Sequence, residues 1–209
     1  VDDLRCEYLK NPLAIDNTQP HFSWKMTSGN NGAHSTAYQI LVATELGKLN
    51  EKEADLWNSG KVECGESTGI LYKGAGLSAR AQAFWKVRVW DENGEPSGWS
   101  KPAGFGVGFL CESDWDENAE FIAIDQPGEV ENMHVSPLFR KSFDYTPGKE
   151  RVFLHINSLG YHDAYINGRP VSASVLNPAV SQHPKRSIIN TYDVTDLLKK
   201  GENELVIWA

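Results

Sequence analysis

Five acids crowd into a short stretch at Glu112, Asp114, Asp116, Glu117 and Glu120. Paired carboxylates do general acid and base work when their surroundings drive their pKa values apart. Nothing apolar is arranged here to raise one of them, so the cluster reads as solvated surface. Its oxygens could also ligate calcium, but the glycine and regular spacing of an EF-hand loop are lacking. No cofactor is expected, with calcium the one ion kept in view. The six histidines, His21, His34, His134, His155, His162 and His183, contain neither an HExxH motif nor a pair spaced for one helical face, and no metal site is read from them. His155, between Leu154 and Ile156 on a strand pattern, should point away from their face. Cys6, Cys64 and Cys111 lie far apart without a CxxC pair. They read as small buried hydrophobes, and an odd count leaves at least one thiol free within the chain. There is no GxSxG elbow and no GxxxxGK[ST] loop. The alternating glycines from Gly104 to Gly108 follow Pro102 and open no helix, which excludes a dinucleotide fingerprint.

Binding chemistry remains. Sugars are held by aromatic faces on pyranose C–H surfaces and by planar polar groups on hydroxyls. Tyr161, His162, Asn177, His183, Lys185 and Arg186 offer that combination near one hairpin and in the loop before Tyr192. The competing reading is the ordinary polarity of loops.

The elements that must position these residues are strands. The 209 residues are 40% hydrophobic and 23% charged, an ordinary globular composition with length for one large or two modest domains. A formal net charge of −8 argues against nucleic acid as a partner. No apolar run approaches the roughly eighteen residues that cross a bilayer. The chain opens on Val1, so it is expected to be a matured product or a piece of something longer. β-branched and aromatic residues recur at a period near two over 21–26, 38–44 and 84–91. In Phe84-Trp85-Lys86-Val87-Arg88-Val89-Trp90, the face of Trp85, Val87 and Val89 is core, and Lys86 and Arg88 share the other face with Phe84 and Trp90. Turns fall at Asn30-Asn31-Gly32, Gly74-Ala75-Gly76 and Glu92-Asn93-Gly94. Only Lys48 to Leu56 reads as helical. About seven strands in the first 108 residues make a β-sandwich.

A run from Gly108 to Val135 is acidic, with a turn at Pro127-Gly128, and reads as a linker over 109–135. Strand patterns resume at Leu138 to Phe143 and Arg151 to Ile156. Asn167-Gly168 between apolar runs predicts a type I′ hairpin. Thr195 is the expected N-cap of one helical turn, ended by Gly201 in the left-handed region, before a strand from Glu204 to Trp208.

Two resemblances follow from these residues. Ala83 through Asp91 with Gly94, Ser97, Trp99-Ser100 and Pro102 resembles the last strands of a fibronectin type III domain, with Trp24 and Tyr38 at inward aromatic positions. The Asn-Gly hairpin, the Tyr192-Asp193-Val194-Thr195 turn and Gly201-Glu202-Asn203-Glu204-Leu205 are similar to the jelly-roll sugar-binding domains of several glycoside hydrolases. Added to these are Leu4-Arg5-Cys6-Glu7-Tyr8-Leu9 with Asn11-Pro12-Leu13, Ala37 to Ala43, Asp55-Leu56-Trp57, Ser59-Gly60-Lys61-Val62, Ser113-Asp114-Trp115, Leu138-Phe139-Arg140-Lys141 and Leu159-Gly160-Tyr161. In that order the set resembles the amino-terminal region of bacterial α-L-rhamnosidases of glycoside hydrolase family 78. Many relatives carry a Gly-Trp pair after the proline of Asn177-Pro178-Ala179-Val180-Ser181, which this sequence lacks.

The resemblance implies an all-β chain: a fibronectin III-like sandwich over 1–108 and a galactose-binding-like jelly roll over 136–209. It also implies a parent enzyme that removes terminal α-L-rhamnose with inversion, using two glutamates on an (α/α)₆ barrel that would follow Ala209. No catalytic residue can be assigned to the present residues. The expected roles are a scaffold against that carboxyl-terminal catalytic domain and carbohydrate recognition. An accessory region of a β-galactosidase-like exo-glycosidase and a free-standing adhesion module are the alternatives. Periplasmic or secreted placement is preferred to cytoplasmic. A jelly roll needs about eight strands and the chain supplies about six, so an open pairing edge is expected, with dimerisation or disorder there.

Overall fold

The computed structural model describes residues 1–124 and 136–209. The turn read at Pro127-Gly128, the end of the linker and His134 lie outside the described residues. Contacts divide the chain into two compact units, Val1–Glu117 and Asn118–Ala209.

The first unit has seven strands: β1 (Asp2–Cys6), β2 (His21–Lys25), β3 (Ala37–Ala43), β4 (Trp57–Asn58), β5 (Ile70–Leu71), β6 (Gln82–Trp90) and β7 (Ala103–Gly106). They form two antiparallel sheets, β1-β2-β5 and β4-β3-β6-β7. The alternation in β6 does what its residue types demand. Trp85, Val87 and Val89 are buried between the sheets with Phe22, Trp24, Tyr38 and Phe105. Trp85 stacks on Phe22 at 4.3 Å between centroids, and Trp24 meets Tyr38 edge-on at 5.5 Å. Gly106 is required by close approach, since a Cβ there would strike the Leu13 carbonyl and the Gln82 amide.

The other face of β3 and β6 is also covered, which explains why every residue of β3 is buried. Leu41 and Ala43 pack under Leu49 with Phe84 and Trp99. Beside them cations and rings alternate. Lys86 Nζ lies 4.9 Å from the Trp99 ring. The Arg88 guanidinium sits 4.7 Å from Trp99 and 5.0 Å from Trp90, and Lys61 Nζ is 5.2 Å from Trp90. Arg88 also donates to Gln39 Oε1 at 2.7 and 3.1 Å and pairs with Glu51 at 2.6 Å. Burial holds the Lys86 ammonium below its usual pKa.

Lys48 to Leu56 is not the helix its residues suggest. A 3-10 turn occupies Leu46–Lys48, and Asn50 Oδ1 then accepts the amides of Lys52 and Glu53. Asp55 accepts both the amide and the hydroxyl of Thr44 at 2.9 and 2.7 Å, which pushes its carboxyl down to about 2. The loop is shaped to seat Leu49 on β3, a tertiary demand that local propensity does not report.

The stretch after residue 108 is not wholly irregular. Phe109 stacks on Trp115 at 4.1 Å, and Glu112–Asp114 is a 3-10 turn. Asp114 Oδ2 caps it by accepting the amides of Leu110 and Cys111 at 2.7 and 3.0 Å, so this carboxylate is held below its usual pKa.

The second unit contains β8 (Leu138–Tyr145), β9 (Phe153–Asn157), β10 (Asp163–Ile166), β11 (Arg169–Pro170), β12 (Ile189–Asp193) and β13 (Gly201–Trp208). The sheet β11-β10-β13-β8 faces the pair β12-β9. Four strands against two leave the inner face of β8 under-covered: Lys141 is exposed, and Phe139, Phe143 and Tyr145 are only half-buried. The core is correspondingly small, with Ile156, Ala164, Ile166, Tyr192 and Val194 at its centre. Among the described residues β8, β9, β11 and β12 each keep one unpaired edge.

The hairpin forms at Asn167-Gly168, with φ of 51° and 76° as a type I′ turn needs. Thr195 is not the N-cap of its turn. It is the first residue of the 3-10 turn Thr195–Leu197, and Asp193 Oδ1 accepts the Thr195 amide and hydroxyl at 3.1 and 2.6 Å. The Thr195 hydroxyl instead accepts the Val152 amide at 2.8 Å. A carboxylate two residues earlier outcompetes the hydroxyl as a local acceptor.

Candidate functional site

The six candidate residues fall on one hairpin-and-loop region of the second unit, but they do not converge. His162 begins the approach to β10, and its amide donates to the Asn177 carbonyl at 2.6 Å. This bridge draws Tyr161 beside the loop of Asn177, where Tyr161 stays half exposed at 50%. The Asn177 amide donates to Ser174 O at 3.4 Å, a bond that shapes its own loop. His183, Lys185 and Arg186 are exposed in a turn in which Gln182 O accepts the amides of Lys185 and Arg186. His183 Nδ1 lies 3.5 Å from Ser181 Oγ.

His162 itself is interior, 4% exposed. Its Nδ1 is 2.7 Å from Ser158 Oγ and its Nε2 is 2.9 Å from the Tyr192 hydroxyl. Ser158 gives its only proton to Gly160 O at 2.8 Å. The serine therefore accepts from Nδ1–H, and Nε2 accepts from Tyr192. This order runs opposite to a nucleophile pair, in which the hydroxyl proton must point at the imidazole. Burial lowers the His162 pKa, with Asp163 opposing it, and raises that of the Tyr192 hydroxyl. The neutral forms of both groups are the ones the chain of bonds uses. The recess beside them, bounded by Val171, Ser174 and Asn177, holds about 20 Å³, room for one water molecule and not for a sugar ring.

A depressed histidine has a defined consequence for stability. The unfolded chain takes up the proton near pH 6.5 while the folded chain resists, so the contribution of His162 is present above 6.5 and is lost as pH falls through the lower folded value. The unfolding midpoint of the second unit, followed by circular dichroism from about pH 8 to about pH 5, should fall on the acid side. His162→Gln should flatten that slope, and an unchanged slope in the variant would assign it to other groups.

Tyr192 escaped sequence reasoning because it reaches His162 from a strand far along the chain, and Ser158 because a serine four residues before a histidine forms no motif of its own. Asn203 escaped it too. It is 1% exposed, accepts from the Lys199 amide at 2.9 Å and the Asn167 amide at 2.8 Å, and donates to Lys199 O and Gly201 O at 2.7 Å each. Asn167 returns a bond from Glu204 N to its Oδ1 at 3.1 Å. The Asn-Gly hairpin and the Gly-Glu-Asn-Glu run are thus two halves of one buried network. The signal was available in the strand period, which puts Asn203 on the same face as Leu205 and Ile207.

Among the described residues no group of three or more His, Cys, Asp and Glu side chains comes together to hold a metal ion. No helix among them is long and apolar enough to cross a membrane.

Comparison with known proteins agrees with this architecture. Residues 1–111 match the Rha78A-like, N-terminal immunoglobulin domain, and residues 149–209 match the alpha-L-rhamnosidase N-terminal domain. An alpha-L-rhamnosidase of Formosa agariphila is 37% identical over 94% of this chain and 22% of that protein. The alpha-L-rhamnosidase structure from Dictyoglumus thermophilum superposes with a TM-score of 0.87 at 33% identity, over 98% of this chain and 24% of that one. That of Aspergillus terreus gives 0.86 at 30%, over 99% and 23%. The chain spans about a fifth of the length of the curated relatives it matches. With more than half of its residues matched by the immunoglobulin-domain family and all of its architecture shared with these structures, the chain belongs to the α-L-rhamnosidases of glycoside hydrolase family 78, as their amino-terminal region.

Proposed function

We propose that this chain is the non-catalytic amino-terminal scaffold of an enzyme that removes terminal α-L-rhamnose from glycans, and that its second unit docks on the catalytic domain of the same polypeptide. The observation that carries this reading is the extent of the match: nearly all of this chain aligns with less than a quarter of each rhamnosidase. The chemistry of the carboxyl groups supports it. A glycosidase acid must be held protonated by a raised pKa. Asp3, Asp55, Asp91, Asp114 and Asp193 are all shifted down, by lysine, arginine or backbone and hydroxyl donors.

The surface of the second unit supports docking. Leu159, Val175, Leu176 and Val180 are 59%, 80%, 65% and 82% exposed around the Asn177 loop, more apolar area than a free loop needs. The unpaired edges of β9 and β12 would accept further strands, completing the thinner sheet. This accounts for the open edge better than a dimer, because a small core gains most from being covered. Carbohydrate contact by this unit would use the exposed rim of Tyr161, His183, Lys185 and Arg186, since the recess at His162 admits only water.

The test is the longest product of the same reading frame, assayed on nitrophenyl α-L-rhamnoside and nitrophenyl β-galactoside. Rhamnoside hydrolysis by the long product with none by the 209-residue chain is the expected result. Activity on the galactoside alone would move the chain to another exo-glycosidase, and tight glycan binding with no longer product would make it an adhesion module.

A further inference from the structure

A recess of about 310 Å³ opens at one end of the first sandwich, between the β2–β3 loop and the β6–β7 turn. In immunoglobulin variable domains the loops at the corresponding end of the sandwich carry recognition. Its apolar wall is Met26, Trp90 and Pro96, and its acidic wall is Asp91, Glu92 and Glu95. Among the described residues no lysine or arginine side chain lines it, while Val1 and His34 also belong to the lining. The volume, at the lower end for ligand pockets, suits one small ring. The wall chemistry, three carboxylates that outnumber the Val1 amino terminus, suits a ligand rich in donors and free of negative charge.

The recess is held in shape before any ligand arrives. Asp91 Oδ1 accepts the amides of Asn93 and Glu95 at 2.9 Å each, which locks the turn. The Thr36 hydroxyl donates to Asp91 O and its amide to Trp90 O, both at 2.8 Å, tying one loop to the other. Trp90 is fixed by the cations Arg88 and Lys61. The Glu92 and Glu95 side chains stay exposed at the rim, and Glu92 Oε2 accepts the His34 amide only loosely at 3.4 Å. A site fixed in this way loses little freedom on binding.

We propose that this recess is a glycan-binding site that takes one neutral pyranose ring, with a C–H face against Met26 and Pro96 and hydroxyls donating to Glu92 and Glu95. The choice of a sugar over an organic cation rests on the proposed function; the recess itself does not. Amide NMR shifts of the 209-residue chain, titrated with methyl α-L-rhamnoside and separately with arginine amide at low and high salt, test it. The expected result is saturable shifts confined to residues 27–35 and 91–97 with the rhamnoside, unchanged by salt. Glu95→Ala should weaken them roughly tenfold, and Ala33→Trp, which fills the recess from an exposed loop, should abolish them. A salt-sensitive response to arginine amide alone, shifts confined to the second unit, or no shift would overturn the site. If the long product cleaves rhamnosides and the recess stays silent, the site fails and the proposed function stands. If the recess binds while the long product cleaves only galactosides, the site stands and that function fails.

Discussion

Asn203→Ala should destabilise the second unit by about 3 kcal/mol, and in a unit with so small a core this is expected to abolish its cooperative unfolding transition. The side chain satisfies four partners in the interior: the amide and carbonyl of Lys199, the Gly201 carbonyl and the Asn167 amide group. Truncation leaves them facing a cavity, and each buried polar group without a partner costs about 1–3 kcal/mol, reduced where water can enter. Asn203→Asp separates the contributions. It keeps an acceptor for the Lys199 amide but loses both donors and places a charge at a 1% exposed position, so it should be no milder than alanine. Urea unfolding followed by far-ultraviolet circular dichroism reads the result. A variant within about 0.5 kcal/mol of the parent would mean that solvent replaces the network, contrary to its burial.

Trp85→Ala should cost the first unit about 3–5 kcal/mol. Trp85 is fully buried on β6 and stacks on Phe22, which in turn touches Phe105, Tyr72 and Trp57. Removing it opens a cavity where both sheets meet. Trp85→Phe supplies the control. The indole Nε1–H is buried with no acceptor, so phenylalanine gives up volume but also removes an unpaired donor. The phenylalanine variant should therefore lose less than half of what alanine loses. Equal losses would mean that neither the volume phenylalanine retains nor the unpaired donor it removes matters, contrary to this account. Both variants should leave the second unit's transition where it was, because the clusters around Trp85 and around Ile156 share no residue.

Legibility in the sequence followed the range of the interaction. Phe84 to Trp90 reported its own strand, both faces and the buried tryptophan, because pleat geometry acts between next neighbours. Asn167-Gly168 reported its hairpin because positive φ at two adjacent residues is a local requirement. Lys48 to Leu56 misled, since what decides that loop is Leu49 finding Leu41 and Ala43 on another strand. The same limit governs the candidate site. Tyr161 and Asn177 read only as lying near one hairpin or in the loop before Tyr192, and it is the bridge between His162 and Asn177 that sets them side by side. Whether His162 faces solvent or Tyr192 depends on β9 pairing with β12, and no window of sequence around residue 162 contains that information. The recess at Trp90 was not read at all, because its two walls come from loops far apart in the chain.

The order β11-β10-β13-β8 sets a timetable for synthesis. β13 lies between β8 and β10, so the central partner of that sheet is the last to leave the ribosome, and Leu138 waits for Trp208 before its ladder can close. The earlier sandwich has all its strands in hand by Gly106 and can fold while translation continues. Such long sequence separation makes closure slow and exposes β8 as a bare ribbon in the interval. In the cell, then, the nascent chain should present a finished head trailing a segment that needs chaperone protection until β13 has emerged from the ribosome.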